Sequence, residues 1–230
     1  MENIYYAKTV YGQEEIDAVV KCLNESTQMG NYARKFESEI AKLFEKKECL
    51  YVNSGSSALF IGIEAYDFPK GGEVITPALT FGTTVGCLIK NNLVPVFVDV
   101  EPLTYCIDTK EIEKVITSKT VAILAPNLMG NLCDWPKIRE IANKHNLIVI
   151  ADEAWQHLMY DGSKHVSITT LDGMSERTVT VNTTSKVYNM AGWRVGWASG
   201  PKEIIEKITA IQSTSVTCPT SITQAGAIAA

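Results

Sequence analysis

Several features that mark whole classes of protein are missing from this 230-residue sequence. No apolar run approaches the ~20 residues that span a bilayer, and the N-terminus lacks the basic and apolar regions of a signal peptide. Charged residues make up only 20% of the chain and the net charge is −5. Such a balance gives no general attraction to nucleic acid or to anionic membranes, so we expect neither as a partner.

Cysteine and histidine are also scarce and scattered, with six and three residues respectively. No two cysteines form a CxxC pair and the histidines lack HExxH spacing, so we expect no metal site and no disulfide framework. Small core residues and a few surface thiols are the simpler interpretation. This use of cysteine fits a reducing compartment and predicts a cytoplasmic protein.

Short apolar runs alternate with longer amphipathic ones along the chain. The predicted strands are continuously apolar or β-branched, as is typical of a sheet buried on both faces. They cover residues 49–53, 73–76, 94–98, 121–126, 147–151, 178–182 and 193–199. Helical spacing is found over residues 13–23, 32–44, 57–66, 82–91, 109–116, 136–145 and 202–211. The alternation predicts an α/β fold with a three-layer, mainly parallel sheet in residues 46–230, preceded by an N-terminal helical segment, 1–45.

Ligands of such sheets bind beyond the carboxyl ends of the strands, and the sequence places a phosphate-binding pattern at one of these ends. Gly55, Ser56 and Ser57 follow the first predicted strand and open a helix. Glycine permits close approach of the backbone, while the free amides and two hydroxyls can hold an anion. A serine at this place is also an ordinary helix cap, which is the better interpretation of the motif taken alone.

Four further residues follow strands or lie close to strand ends: Phe81, Asp152, Lys186 and Arg194. Taken singly, Phe81 is most simply a core aromatic, Asp152 a helix cap or a charge partner for a ligand, and Lys186 a surface cation. Arg194 has apolar residues on both sides, which argues against a casual surface charge. Together with the phosphate pattern the four residues supply an aromatic for a flat ring, a carboxylate for a ring nitrogen, a lysine for an aldehyde and a second phosphate cation. These are the groups that pyridoxal 5′-phosphate (PLP) requires of a protein.

The segment TVNTTSKVYNMAGWRVGWASGP, residues 180–201, resembles the lysine signature of class I/II aminotransferases of PLP fold type I. In that signature a serine or threonine lies three residues before the lysine and an arginine lies eight after it, as Thr183, Lys186 and Arg194 do. The segment DEAWQHLMYDG, residues 152–162, is similar to the same class, except that Trp155 stands where a tyrosine is usual. Asn127 matches the asparagine of that class's NPTG motif.

The first part of the chain resembles another branch of the same fold, the sugar aminotransferases and 3-dehydrases that act on nucleotide-linked keto sugars. The segments that carry this resemblance are VNSGSSAL (52–59), GGEVITPALTF (71–81), VPVFVDVEPLTYCID (94–108) and GNLCDWPKIREIANKHNLIVIADEA (130–154). Residues 1–153 therefore resemble one branch and residues 153–230 the other. A recombinant or engineered chain and a diverged lineage both remain open as explanations.

The resemblance implies the large domain of PLP fold type I and a role for each matched residue. Lys186 would hold the cofactor as a Schiff base, and Asp152 would face its ring nitrogen. The remaining cofactor-binding residues would be Gly55, Ser56, Ser57, Phe81, Asn127, Trp155, Thr183 and Arg194. The 3-dehydrases have histidine in place of the lysine, so Lys186 favours transamination. The implied activity moves an amino group from an amino acid donor to a keto acid or a keto sugar.

The resemblance also implies a homodimer and a C-terminal small domain, and this sequence contains no counterpart of the latter. Two alternatives therefore stay open. One is another PLP reaction, such as that of a lyase, because the same cofactor residues serve several reactions. The other is a truncated or chimeric domain that binds the cofactor with little or no turnover.

Overall fold

A seven-stranded sheet forms the centre of the computed structural model, which describes residues 8–44, 46, 48–160, 162–215 and 217–230. The strands within these residues are β1 (Glu48–Val52), β2 (Glu73–Pro77), β3 (Val94–Val98), β4 (Thr120–Pro126), β5 (Ile148–Asp152), β6 (Thr178–Thr183) and β7 (Gly196–Gly200). All seven overlap the strands predicted from the sequence.

The order of the strands is β1-β7-β6-β5-β4-β2-β3. Strands β3, β2, β4, β5 and β6 are parallel to one another, while β7 lies antiparallel between β6 and β1. The expectation of a mainly parallel sheet is confirmed. The last strand starts three residues later than predicted, because residues 191–193 form a short 3-10 turn and Arg194 has a positive φ of 60°.

Nine α-helices accompany these strands in the described part of the chain. They are α1 (Gln13–Glu25), α2 (Asn31–Leu43), α3 (Gly55–Glu64), α4 (Gly82–Lys90), α5 (Thr109–Ile112), α6 (Trp135–His145), α7 (Thr184–Val187), α8 (Lys202–Ser215) and α9 (Ser221–Ala229). The helix predicted over 109–116 is shorter than expected, because α5 passes into a 3-10 turn at Glu113–Val115. Helix α6 shows why such segments are helical: the Asp134 carboxylate accepts from the N–H of Lys137 at 3.1 Å, and Asn146 ends the helix in a left-handed conformation.

Alternate residues of each central strand enter different cores, which gives the three layers. Val74 packs with α3, α4 and α8 on one face, whereas its neighbour Ile75 packs with α5 and α6 on the other. The same alternation holds for Ile150 and its neighbours along β5. The expected three-layer arrangement is therefore confirmed. Strand β3 departs from the expected burial because it lies at the edge of the sheet, where Phe97 is 50% exposed.

Helices α2 and α9 cover the sheet at its β1–β7 end. Phe36 of α2 packs against Tyr51 and Trp197 with ring centroids 4.8 and 5.7 Å apart. Helix α1 packs on α9 and so lies outside this layer. The division at residue 45 stays a prediction, and residues 1–7 and 45 of the predicted N-terminal segment lie outside the described residues. In the described part of the chain, none of the helices has the length and apolar character of a membrane span.

Candidate active site

A cavity of about 670 Å³ opens where the parallel strands end. Eight of the ten predicted site residues line it: Gly55, Ser56, Phe81, Asp152, Trp155, Thr183, Lys186 and Arg194. Segments separated by up to 139 positions in the chain therefore meet around one space, as the topology of a parallel sheet requires. Ser57 and Asn127 lie just outside the lining.

The start of helix α3 forms one wall of the cavity. The Ser54 hydroxyl accepts from the N–H of Ser57 at 3.1 Å and caps the helix. The Ser57 hydroxyl lies 2.5 Å from Asn53 Oδ1, so this side chain helps to close the helix start rather than to line the cavity. Gly55 and Ser56 do line it, at the helix N-terminus, where free amides and the helix dipole favour an anion.

Lys186 reaches the cavity from the short helix α7. The Thr183 hydroxyl caps this helix by accepting from the N–H of Ser185 at 3.1 Å, and it donates to the carbonyl oxygen of Val195 at 2.7 Å. The cap fixes the direction of helix α7 after strand β6 and therefore the position of Lys186. The Lys186 Nζ atom lies over the Trp155 ring, 4.9 Å from the ring centroid.

Arg194 approaches the same cavity from the residue pair that precedes β7. Its backbone is left-handed, with φ 60° and ψ 58°, and its Nη1 donates to the carbonyl oxygen of Ala191 at 2.8 Å. The side chain is exposed and lines the cavity together with Gly55 and Ser56. A guanidinium and a helix N-terminus facing one space form a suitable pair for a phosphate group.

Asp152, the last residue of β5, is half-buried at the bottom of the cavity. Desolvation by the surrounding protein is the main cause that raises the pKa of this carboxyl, with a smaller contribution from the neighbouring Glu153, and the resulting pKa is about 6. The N–H of Ala154, which donates to Asp152 Oδ1 at 3.1 Å, and the nearby Lys186 ammonium both lower the pKa of the carboxyl. The carboxyl is thus mainly ionised at neutral pH and faces a cation.

Asn127 lies beside Asp152, at the end of the neighbouring strand. Its N–H donates to the carbonyl oxygen of Asp152 at 2.9 Å, and its Oδ1 accepts from the N–H of Cys133 at 3.0 Å. Its other amide atom, Nδ2, is buried and has no hydrogen-bond partner within the described residues. This buried donor is adjacent in sequence to Leu128, which lines the cavity, and is available to an acceptor there.

An apolar rim surrounds the mouth of the cavity. Phe81, Leu79, Tyr105 and Met129 line the cavity and are 67%, 50%, 48% and 59% exposed. Phe81 was predicted from its place after a strand. The sequence did not predict Tyr105 and Met129 as rim residues. Each reaches the rim through a left-handed backbone conformation with φ 57°, which is uncommon for these residue types.

Sequence reasoning also missed four polar lining residues: Ser54, Thr80, Thr83 and Ser185. Each lies within two residues of a predicted site residue. The Ser185 hydroxyl lies 2.9 Å from that of Thr183, and Thr83 accepts from the Ser56 hydroxyl at 3.4 Å. A search for hydroxyls at the starts of helices α4 and α7 would have found two of the four.

Pyridoxal phosphate, the group that the sequence resemblance implies, fits these residues. Gly55, Ser56 and Arg194 offer an anion site, while Lys186 and Asp152 offer an amine and a carboxylate within the same cavity. Phe81 supplies an exposed ring, and Asn127 supplies an unpaired donor.

Comparisons with known proteins agree with this arrangement. The sequence model of the DegT/DnrJ/EryC1/StrS aminotransferase family matches residues 10–169. An aspartate aminotransferase of Pyrococcus abyssi is 37% identical over 185 residues, which cover 77% of this chain and 47% of the relative. The 3-oxo-glucose-6-phosphate:glutamate aminotransferase of Bacillus subtilis is 34% identical over 163 residues, which cover 69% of this chain and 37% of the relative. The chain thus spans about half or less of the length of these relatives.

The solved structure of an aromatic aminotransferase from Pyrococcus horikoshii superimposes with a TM-score of 0.89 at 29% identity, covering 98% of this chain and 65% of that one. The fold is therefore that of the large domain of fold-type I aminotransferases. The relatives include both aspartate and sugar aminotransferases, in line with the two resemblances in the sequence. The chain belongs to the DegT/DnrJ/EryC1/StrS aminotransferase family.

Proposed function

We propose that the protein is a pyridoxal-phosphate-dependent aminotransferase that moves an amino group from an amino acid donor to a keto acid or a keto sugar. The observation that carries this proposal is the meeting of Lys186, Asp152 and Arg194 around one cavity at the carboxyl ends of the strands. Membership of an aminotransferase family supports it.

Each of these residues has a distinct chemical task in the proposal. When bound, the cofactor supplies an electron sink that stabilises negative charge on the substrate carbon. Lys186 would bind the cofactor aldehyde through its amine and, with the amine free, would carry a proton to and from the substrate. Asp152 would hold the ring nitrogen in its protonated form. Arg194, Gly55 and Ser56 would hold the phosphate, and Phe81 would cover the ring.

The first test adds pyridoxal phosphate to the purified protein, records its visible spectrum, reduces the mixture with borohydride and maps the labelled peptide. We expect a reducible band and a label on Lys186. Lys186→Ala should lose the label and turnover while keeping weak, non-covalent cofactor binding. Lys70→Ala removes an exposed lysine outside the cavity lining and should change neither. A label spread over surface lysines, or full activity of Lys186→Ala, would contradict the assignment.

A second test separates transamination from the two alternatives. A transaminase that receives only an amino donor returns the cofactor in its amine form, whereas a lyase does not. Folded protein that binds the cofactor but never yields the amine form would be a binding domain without turnover. Glutamate is the donor to try first, with oxaloacetate and 3-oxo-glucose 6-phosphate as acceptors, because the relatives include an aspartate aminotransferase and a glutamate-dependent sugar aminotransferase.

We further propose that the protein acts as a homodimer. The exposed rim of Leu79, Phe81, Tyr105 and Met129 supports this, since a second subunit over the cavity mouth would remove these side chains from water. Light scattering of the purified chain tests it: a monomer at micromolar concentration would contradict the proposal.

A cytoplasmic location is the remaining proposal. Its support is that all six cysteines carry free thiols, which suits a reducing compartment. Fractionation of the source cells tests it, and recovery of the protein outside the cytoplasm would contradict it.

A further inference from the structure

Two neighbouring contacts join the segment that follows β5 to the segment that follows β6. In the buried one, Asn182 Nδ2 donates to Gln156 Oε1 at 2.9 Å. In the one facing the cavity, Lys186 Nζ lies 4.9 Å from the centroid of the Trp155 ring. Residues 155 and 156 thus each contact the strand–helix segment that carries the lysine.

The buried contact is well placed to fix the position of Trp155. Gln156 and Asn182 are each 4% exposed. Asn182 Oδ1 also accepts from the N–H of Thr183 at 3.3 Å, which ties the bond to the cap of helix α7. On the other segment, the N–H of Glu153 donates to the carbonyl oxygen of Val181 at 2.9 Å and extends the β5–β6 pairing. Trp155 is therefore flanked by a backbone hydrogen bond to β6 at Glu153 and by a side-chain hydrogen bond to β6 at Gln156.

The cavity contact has the character of a cation–π interaction. The face of an indole ring attracts an ammonium ion more strongly than the faces of the other aromatic side chains do. A distance of 4.9 Å from nitrogen to centroid lies within the usual range for this interaction. The other charged groups that line the cavity are Asp152 and Arg194. The Lys186 side chain is exposed, and its ammonium lies over a ring beside the Asp152 carboxyl.

We propose that Trp155 is a positioning residue for Lys186 and that the buried Gln156–Asn182 hydrogen bond holds Trp155 in place. The ring face restricts the lysine to the part of the cavity where an aldehyde bound between Asp152 and Arg194 is within its reach. The catalytic consequence rests on the proposed function, whereas the contact itself does not.

Nuclear magnetic resonance tests the contact without cofactor or activity. Reductive methylation with ¹³C-formaldehyde labels the lysines and keeps their charge, and the signal absent from Lys186→Arg identifies Lys186. We expect this signal upfield of those of lysines that contact no aromatic ring, because the Lys186 ammonium lies over the Trp155 ring. Trp155→Phe should keep an upfield signal, and Trp155→Leu should move it to the position of lysines that contact no aromatic ring. The same shift in the parent protein and in Trp155→Leu would overturn the proposal.

A second pair of variants tests the buried hydrogen bond. Gln156→Met keeps the length of the side chain but removes the acceptor, so the Lys186 signal should move towards its position in Trp155→Leu although Trp155 is present. The matched control is Gln212→Met, which removes a buried glutamine that donates to the carbonyl oxygen of Tyr51 at 2.6 Å, outside the cavity lining. Its Lys186 signal should not move. An unchanged signal in Gln156→Met would overturn the role given to this hydrogen bond.

The rate of labelling of Lys186 by pyridoxal phosphate and borohydride tests the catalytic part. Trp155→Leu should slow labelling severalfold, because the lysine is then no longer held near the aldehyde, and Trp155→Phe should restore most of the rate. An unchanged rate in Trp155→Leu would overturn the positioning role. If the parent protein is not labelled at all, the proposed function fails, but the resonance experiment still decides whether the contact exists.

Discussion

Gly196 packs so tightly against the backbone of Ser54 that a β-carbon on Gly196 would lie 2.4 Å from the Ser54 carbonyl carbon. The same β-carbon would lie 2.5 Å from the nitrogen of Gly55 and 2.9 Å from the carbonyl oxygen of Asn182. All three are main-chain atoms, so no rotation of a side chain can make room. The start of β7 therefore supports the turn that opens helix α3 and its anion site.

Gly196→Ala should push β7 and this turn apart. We expect it to lower the free energy of unfolding by about 1–3 kcal/mol, as overpacking does, and to weaken pyridoxal phosphate binding through displacement of Gly55 and Ser56. Urea unfolding and a cofactor titration measure the two effects. Gly192→Ala is the matched control from the same sequence motif, because a β-carbon there meets nothing within 4 Å. Equal stability and affinity of the two variants would contradict this account.

Removing the charge of Arg194 should separate phosphate recognition from ring recognition. We expect Arg194→Gln to weaken binding of pyridoxal phosphate by at least about tenfold, since a hydrogen bond between charged groups contributes about 1.5–3 kcal/mol. Binding of pyridoxal, which lacks the phosphate, should change little and serves as the internal control. Spectroscopic titrations of both compounds measure this difference. Equal losses for the two compounds would mean that Arg194 acts on the fold rather than on the phosphate.

Asp152 should make the stability of the cofactor-free protein depend on pH. Its folded-state pKa of about 6 lies above the ordinary aspartate value, so between about pH 4 and 6 the folded chain keeps a proton that the unfolded chain has lost. This contribution to stability is fully present below about pH 4 and is lost as the pH rises through about 6.

Asp152→Asn should therefore be more stable than the parent at pH 7, by about 1–2 kcal/mol for this half-buried group, and the difference should vanish near pH 4. Urea unfolding at four values between pH 4 and pH 7 measures it. The control is Asp172→Asn, at an exposed aspartate, and its stability should not differ from that of the parent in this pH-dependent way. A parent that is as stable as Asp152→Asn at pH 7 would refute the raised pKa.

Replacing the amide nitrogen of Asn127 should affect the ligand more than the fold. Asn127→Asp keeps the oxygen that accepts from the N–H of Cys133 but exchanges the unpaired Nδ2 donor for an acceptor. We expect pyridoxal phosphate to bind about tenfold or more weakly, because a donor to a charged acceptor contributes about 1.5–3 kcal/mol. Asn127→Ala, which loses both atoms, should in addition destabilise the chain. Unchanged affinity in Asn127→Asp would remove Asn127 from the binding site.

Much of this arrangement could be predicted from the sequence because one rule governs it. In a parallel sheet the carboxyl ends of the strands meet at one edge, so residues far apart in sequence, such as Phe81 and Lys186, could be assigned to one site. The rule predicts which residues lie near the site, but it does not predict where their side chains point. Ser57 shows the difference, since its hydroxyl bonds to Asn53 at the helix start.

This rule could not predict the residues at the rim of the cavity or the order of the strands. Tyr105 and Met129 themselves adopt left-handed backbone conformations, which favour glycine or asparagine and are not predicted for a tyrosine or a methionine. The insertion of β7 between β6 and β1 brings Gly196 close to Ser54, a contact between parts of the chain that local sequence patterns do not relate.

The place of β7 has a consequence for the order in which the chain folds. Strand β1 lies at the edge of the described sheet, and its register pairs Glu48 with Gly200. Such a distant pairing carries a high entropic cost of loop closure, so we infer that it forms late. On the ribosome, β1 has been exposed well before β7 is synthesised, and until then its edge is open to other strands. The anion site at the end of β1 is thus completed only when the last strand of the sheet arrives.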